Sequence, residues 1–401
     1  MAAGQVARVV LALAIAGVLA AIAAHPRVMR WERRFGLTVL ATSGFPFLLL
    51  GLLFRELGVL TPQLLSDLRP LFEFGLGWVG LTIGTNLDIR RFDRLPPSAA
   101  PVIALATSLP IFFATVGCGL TLAWLGVIPG TGLIRDVLVL AACAAVSAPA
   151  SRAVQLVVDI TRIDQLAALA LLGFYAIMFR PDRTVTLWHL PRSGWFLMTL
   201  GLGALLGIVL YFLVRNVEKR TEEMALLMGG VALASGMAGY LALAVAVVCA
   251  LAGMVLINSP LTDGRRIVST LREVERPLYL VFLFIVGAAW FPNEWQGWLL
   301  GLVFAITRTY GKVLAARLAV RVDPSLPGWR RLAVSLLPES TVAIVVLFSV
   351  IGIEGGSSEV VRWAINAVIV GSIVTEVVVQ WAQRRERQAA NEDSGVFEAA
   401  P

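Results

Sequence analysis

Apolar runs of bilayer-crossing length recur along almost the whole chain, each ended by charge, proline or glycine. "VVLALAIAGVLAAIAA", "FLMTLGLGALLGIVLYFLV" and "LALAVAVVCALAGMVLIN" are three of them. A helix rising 1.5 Å per residue crosses roughly 30 Å of hydrocarbon in about 20 residues. Inside lipid every backbone polar group needs a partner within the protein, which uninterrupted apolar segments of this length meet as helices. The pattern predicts an all-α membrane protein of about 13 transmembrane helices. They fall over 7–24, 36–54, 68–87, 98–126, 134–158, 163–180, 194–214, 222–238, 240–258, 276–291, 296–319, 330–353 and 361–383. The stretch 224–257 is too long for one span and is divided at Gly239.

Composition narrows the function classes. The chain is 58% hydrophobic and 15% charged, well above the roughly 45–50% apolar content of a soluble domain. Its net charge of +7 fits cytoplasmic loops facing anionic lipid rather than nucleic acid. Cys118, Cys143 and Cys249 each sit in an apolar run and suggest neither a disulfide framework nor a metal site. With His25 and His189 as the only histidines, both in polar connections, a His-ligated metal or a Ser-His-Asp triad has little to be built from. No cofactor is expected, and the chain does not read as an enzyme.

Charge in the connections gives the topology. With the N-terminus outside, inward-facing segments hold 22 Lys and Arg and outward-facing ones 8, which predicts N-outside and C-cytoplasmic in an inner membrane. "FRPDRTVTLWHLPRSG" is the exception, placing Arg180, Arg183 and Arg192 outside. The first run resembles a signal peptide but is read as a retained helix, because the basic anchor "RVMRWERR" follows it. Three regions result: a first helix with its basic linker at 1–34, a transmembrane domain at 35–385, and a polar tail at 386–401 expected to be disordered.

Ionisable groups deep in hydrocarbon are functional candidates by default. "SLLPESTVAI" at 335–344 places Glu339 roughly 13 Å from the inner end of its span. In the preceding, oppositely directed span, Lys312 lies roughly 10 Å deep and Arg308 roughly 16 Å, on one helix face at i and i+4. Pro149, in "CAAVSAPASRAV", matches Pro338 in depth. Each proline frees a backbone carbonyl and is flanked by hydroxyls, Ser147 and Ser151 in one case and Ser340 and Thr341 in the other. Two broken helices of opposite direction, crossing near the midplane, are what an inverted-repeat transporter needs at its ion site. The competing readings are a simple kink for each proline and a purely structural ion pair for Glu339. Glu73, Glu222 and Glu376 read as interfacial, and "GLGALLG" at 201–207 as close helix packing.

Several segments together resemble the cation/proton antiporter superfamily of sodium/proton exchangers and potassium-efflux systems. They are "FPFLLLGLLFRELGVLTPQLLSDLRPLFEFGLGWVGLTIGTNLDIRRF", "GYLALAVAVVCALAGMVLIN", "REVERPLYLVFLFIVGAAW", "TRTYGKVLAARLA" and "LLPESTVAI", in the family's order over about 35–385. The resemblance implies inverted repeats, a homodimer embedded in membrane lipid, and a monovalent cation and a proton as substrates. It also implies an Asp-Asp or Asn-Asp pair halfway along the sixth span, where this chain has Gly173, Phe174 and Tyr175. Asp164, at the edge of that span as hydropathy draws it, is expected to be too shallow to serve.

Two functions stay open. In one, the chain exchanges Na+ or K+ for protons at a non-standard site, with Glu339 titrating beside Lys312 and Arg308, and with Ser147, Ser151, Ser340, Thr341 and Tyr175 supplying oxygens. In the other, it keeps the antiporter fold without cation/proton exchange and is a sensor, an assembly partner or the carrier of another solute, with surplus buried cations that suit an anion.

Overall fold

A computed structural model describes residues 45–60, 69–92, 98–128, 130–148, 155–180, 190–260, 264–324, 326, 328–338, 340, 342–354 and 359–397. The expected first span and its linker lie outside these, as do Pro149, Ser151, Glu339 and Thr341. Every regular element among the described residues is an α-helix. In order they are α1 (Phe45–Glu56), α2 (Arg69–Thr85), α3 (Ile89–Phe92), α4 (Ala99–Trp124), α5 (Thr131–Ala145), α6 (Gln155–Met178) and α7 (Arg192–Val214). Then follow α8 (Arg220–Tyr240), α9 (Val245–Asn258), α10 (Gly264–Ala289), α11 (Trp295–Val322), α12 (Trp329–Leu336), α13 (Val342–Glu354) and α14 (Glu359–Phe397). Ala99–Trp124, Arg192–Val214, Trp295–Val322 and Val360–Ala382 are each long and apolar enough to cross a membrane.

The division of 224–257 falls where glycine places it. α8 ends at Tyr240, and Ala242 turns the chain with a positive φ of 51°. One sequence boundary moves. The helix after the first break begins at Gln155 rather than near 163, and α14 extends to Phe397. Its residues 386–390, "ERQAA", are strong helix formers.

The chain divides into two compact units. One comprises residues up to Leu95, Leu166–Asn293 and Ile344–Arg362. Within it α2 lies against α9 with backbones nearly touching: a Cβ at Gly80 would fall 2.3 Å from the Ala246 carbonyl oxygen, and one at Gly84 2.0 Å from that of Ala250. The "GLGALLG" glycines do the same for α7, with Gly207 facing the Ala252 carbonyl oxygen at 2.7 Å. Gly80→Val is therefore expected to yield aggregated protein on size-exclusion chromatography in detergent. Gly201→Ala, with nothing within 4 Å of its Cβ position, is expected to leave the profile unchanged.

The other unit comprises Pro96–Gln165, Glu294–Ala343 and the chain from Trp363. α11 is its central helix, packed on α4 through Gly311, whose Cβ position is 2.7 Å from the Cα of Pro110. On α14 it packs through Gly301, 2.7 Å from Val370. Here both breaks occur. α5 stops at Ala145 and the chain turns extended at Val146, with φ −73° and ψ 133°, while α12 stops at Leu336 before α13 begins at Val342. The two interrupted segments meet, the Ala148 amide donating to the Pro338 carbonyl at 2.8 Å.

Candidate functional site

A helix that stops inside a protein leaves its last carbonyls without intrahelical donors. Those released by α5 and α12 are met by two cations one turn apart on α11. Arg308 donates through Nη1 to the Leu337 carbonyl at 2.9 Å and through Nη2 to the Val146 carbonyl at 2.7 Å. One planar guanidinium thus ties the two breaks together, and its charge complements the negative ends of the helices that stop there.

Lys312, one turn on, holds a different set. Its ammonium donates to Asp164 Oδ2 at 2.7 Å, to the Ala145 carbonyl at 3.1 Å and to the Ala106 carbonyl at 3.2 Å. The Ala106 acceptor is free for a reason written in the sequence: four residues on stands Pro110, inside α4 and without an amide hydrogen to donate back. A lysine ammonium has three protons, and each finds an oxygen.

Asp164 is the anion of the cluster. Both it and Lys312 have fully buried side chains. Its Oδ1 accepts from Thr107 Oγ at 2.6 Å, and its Oδ2 accepts from Ser147 Oγ at 2.8 Å as well as from Lys312. The expected shallow position of Asp164 is therefore corrected. α6 starts at Gln155, so Asp164 stands about 13 Å into its helix. The charged turn before it is tolerable because Asp159 pairs with Arg162 at 3.0 Å, i to i+3.

Of the residues singled out in sequence, the structure brings Arg308, Lys312 and Ser147 into one cluster, with Pro338 at the meeting of the breaks. Ser340 lies beside it, 8% exposed, with Gln165 Nε2 3.5 Å from its hydroxyl. Tyr175 is not part of it. It is eleven residues beyond Asp164, about 16 Å further along α6, and packs against Phe179 at 5.5 Å between ring centroids. Sequence reading missed Asp164, Thr107 and the Pro110–Ala106 device. The available signal was Lys312 itself, since a lysine this deep needs a carboxylate partner.

Hydrogen bonds to a buried charge are among the stronger ones, about 1.5–3 kcal/mol each. Thr107→Val keeps the shape of the side chain and removes one donor to Asp164. It is expected to lower the unfolding free energy by about that amount, measured by thermal denaturation in detergent.

No family model matches the sequence, and no curated protein sequence is close enough to be matched with it. The fold, by contrast, has clear neighbours. The sodium proton antiporter MjNhaP1 of Methanocaldococcus jannaschii, solved at pH 8, superposes with a TM-score of 0.62 at 14% identity, covering 94% of this chain and 97% of that one. Its electron-microscopy structure gives a TM-score of 0.58 at 17% identity, covering 92% and 95%. The chain is a multi-pass membrane protein that shares its fold with these two sodium proton antiporter structures.

Proposed function

We propose that the chain is a secondary transporter exchanging a monovalent cation, Na+ or K+, for protons, with Asp164 and Lys312 as the exchanging pair. The observation that carries this reading is the cage around Lys312, one positive charge held by a carboxylate and two carbonyls freed at helix irregularities. Unwound carbonyls beside an acid are what coordinate Na+ or H+ in transporters of broken-helix design. A dehydrated cation entering the cage takes the oxygens that the ammonium occupies. Its arrival adds one positive charge, and loss of one proton from Lys312 restores the balance, so exchange is one for one and electroneutral. Thr107 and Ser147 turn hydroxyl lone pairs toward the cation in place of the protons they give Asp164. Glu339, Thr341 and Ser151, which lie outside the described residues, stay in this reading as candidate oxygen ligands. That both structural neighbours are sodium proton antiporters supports cation and proton as the substrates.

The test is proton flux in proteoliposomes carrying an internal pH dye. External Na+, K+ or Li+ is expected to drive lumenal alkalinisation while choline does not. One observation favours a second reading: among the described residues the cluster holds two cations and one carboxylate, a surplus that suits an anion. In that case the same vesicles stay silent to alkali cations, and the chain serves as a sensor, an assembly partner or a carrier of an anionic solute.

A further inference from the structure

Within the first unit, a groove of about 530 Å³ runs between α6, α7 and α9. Its walls are almost wholly apolar. Of its polar residues, Thr199 spends its hydroxyl on the Trp195 carbonyl at 2.9 Å, which leaves Arg192 and Ser193 at one end. A hydrated ion would lose its water here and find nothing to replace it, so the groove is unsuited to the transported cation. Its reach along α6, from Leu166 to Met178, is about 18 Å, close to the roughly 15 Å hydrocarbon depth of one leaflet.

Arg192, at the polar end of the groove, belongs to the segment that breaks the charge rule expected of the topology. Outward-facing connections are poor in Lys and Arg, yet "FRPDRTVTLWHLPRSG" holds three arginines. Arg180 is already committed: it donates to the Leu241 carbonyl at 2.7 Å and lies 3.3 Å over the Trp195 ring. Arg192 is exposed, makes no ion pair among the described residues, and lines the groove. An apolar groove about as long as one leaflet is deep, with an arginine that makes no ion pair among the described residues at its polar end, matches the chemistry of a phospholipid.

We propose that this groove binds one acyl chain of an anionic phospholipid of the outer leaflet, whose phosphate pairs with Arg192. Arginine matches a phosphate with two parallel N–H donors, so headgroup charge is read as well as chain length. Gly173 is the position that admits the chain. A Cβ there meets Val247 only at 3.5 Å, an ordinary contact, so a leucine fits at its root and its outer atoms extend into the space the chain would take. The bound lipid packs on α6, the helix that carries Asp164 two residues before the groove begins.

The test is the thermal shift of purified, delipidated protein titrated with phosphatidylglycerol or phosphatidylcholine, with native mass spectrometry counting the lipid retained. The expected result is a saturable rise in Tm with phosphatidylglycerol at about one lipid per chain, and at least about tenfold weaker apparent affinity for phosphatidylcholine. Arg192→Gln removes that preference, and Gly173→Leu removes binding of both lipids. Equal shifts from both lipids in the wild type would overturn the headgroup assignment, as would a preference that survives in Arg192→Gln. A Gly173→Leu chain that binds lipid as before but changes its oligomeric mass would overturn the proposal too, assigning the groove to a second copy of the chain.

Discussion

Asp164→Asn is expected to abolish cation-evoked proton flux while keeping the size and shape of the side chain. Asparagine keeps one acceptor, its carbonyl oxygen, for Ser147, and its amide nitrogen can donate to the Thr107 hydroxyl, so the side chain still has partners on both sides. It lacks the charge that balances Lys312. A buried cation whose partner is removed destabilises a protein by about 3–5 kcal/mol, so the single variant should also melt markedly lower. Removing the ammonium as well separates the two effects. Asp164→Asn with Lys312→Met leaves no orphaned charge, and replacing a buried pair by neutral groups is often neutral or stabilising. The double variant is expected to recover most of the lost stability and none of the transport. Recovery of flux in it would mean that the pair only holds the fold together, and a double-mutant cycle over the four proteins measures their coupling directly.

Arg308 carries the second large effect, and on folding rather than exchange. Its guanidinium reaches both the Val146 and Leu337 carbonyls. Arg308→Met leaves two buried carbonyls without these donors, at about 1–3 kcal/mol for each. Arg308→Lys keeps the charge but places a single nitrogen where two separate ones are needed, so it should recover only part of the loss. Thermal unfolding ranks the three proteins, with arginine highest and methionine lowest. A lysine variant as stable as the wild type would mean that charge at the helix ends, not the fork, is what the breaks require.

Much of this architecture is legible in the sequence because lipid leaves few alternatives. Segment length points to an all-helical chain, and a proline beside hydroxyls in an apolar run marks each break. The i, i+4 spacing of Arg308 and Lys312 puts both cations on one face, where the structure has them. Hydropathy misled at the sixth span for a physical reason. The turn "VVDITRID" carries three charges in eight residues, so an apolar criterion cuts the helix at 163 and leaves Asp164 at its edge. In the fold those charges are cancelled locally, Asp159 by Arg162 and Asp164 by Lys312. The helix therefore extends back to Gln155 without exposing charge to hydrocarbon. A partner 148 positions away leaves no local pattern to read. The same holds for Thr107, whose role depends on α4 passing beside α6. Pro110 is visible in the sequence, but only the approach of Lys312 shows what its freed carbonyl is for.

The central claim is that an alkali cation and the Lys312 proton compete for the Asp164 cage. The most direct measurement is cation-induced proton release by purified protein in lightly buffered detergent solution, followed with a pH dye as NaCl, KCl or choline chloride is added. The account predicts that the wild type releases about one proton per chain on saturation with Na+ or K+, that choline releases none, and that Asp164→Asn releases none with any salt. Equal release from Asp164→Asn, or none from a wild type that transports in vesicles, would contradict it.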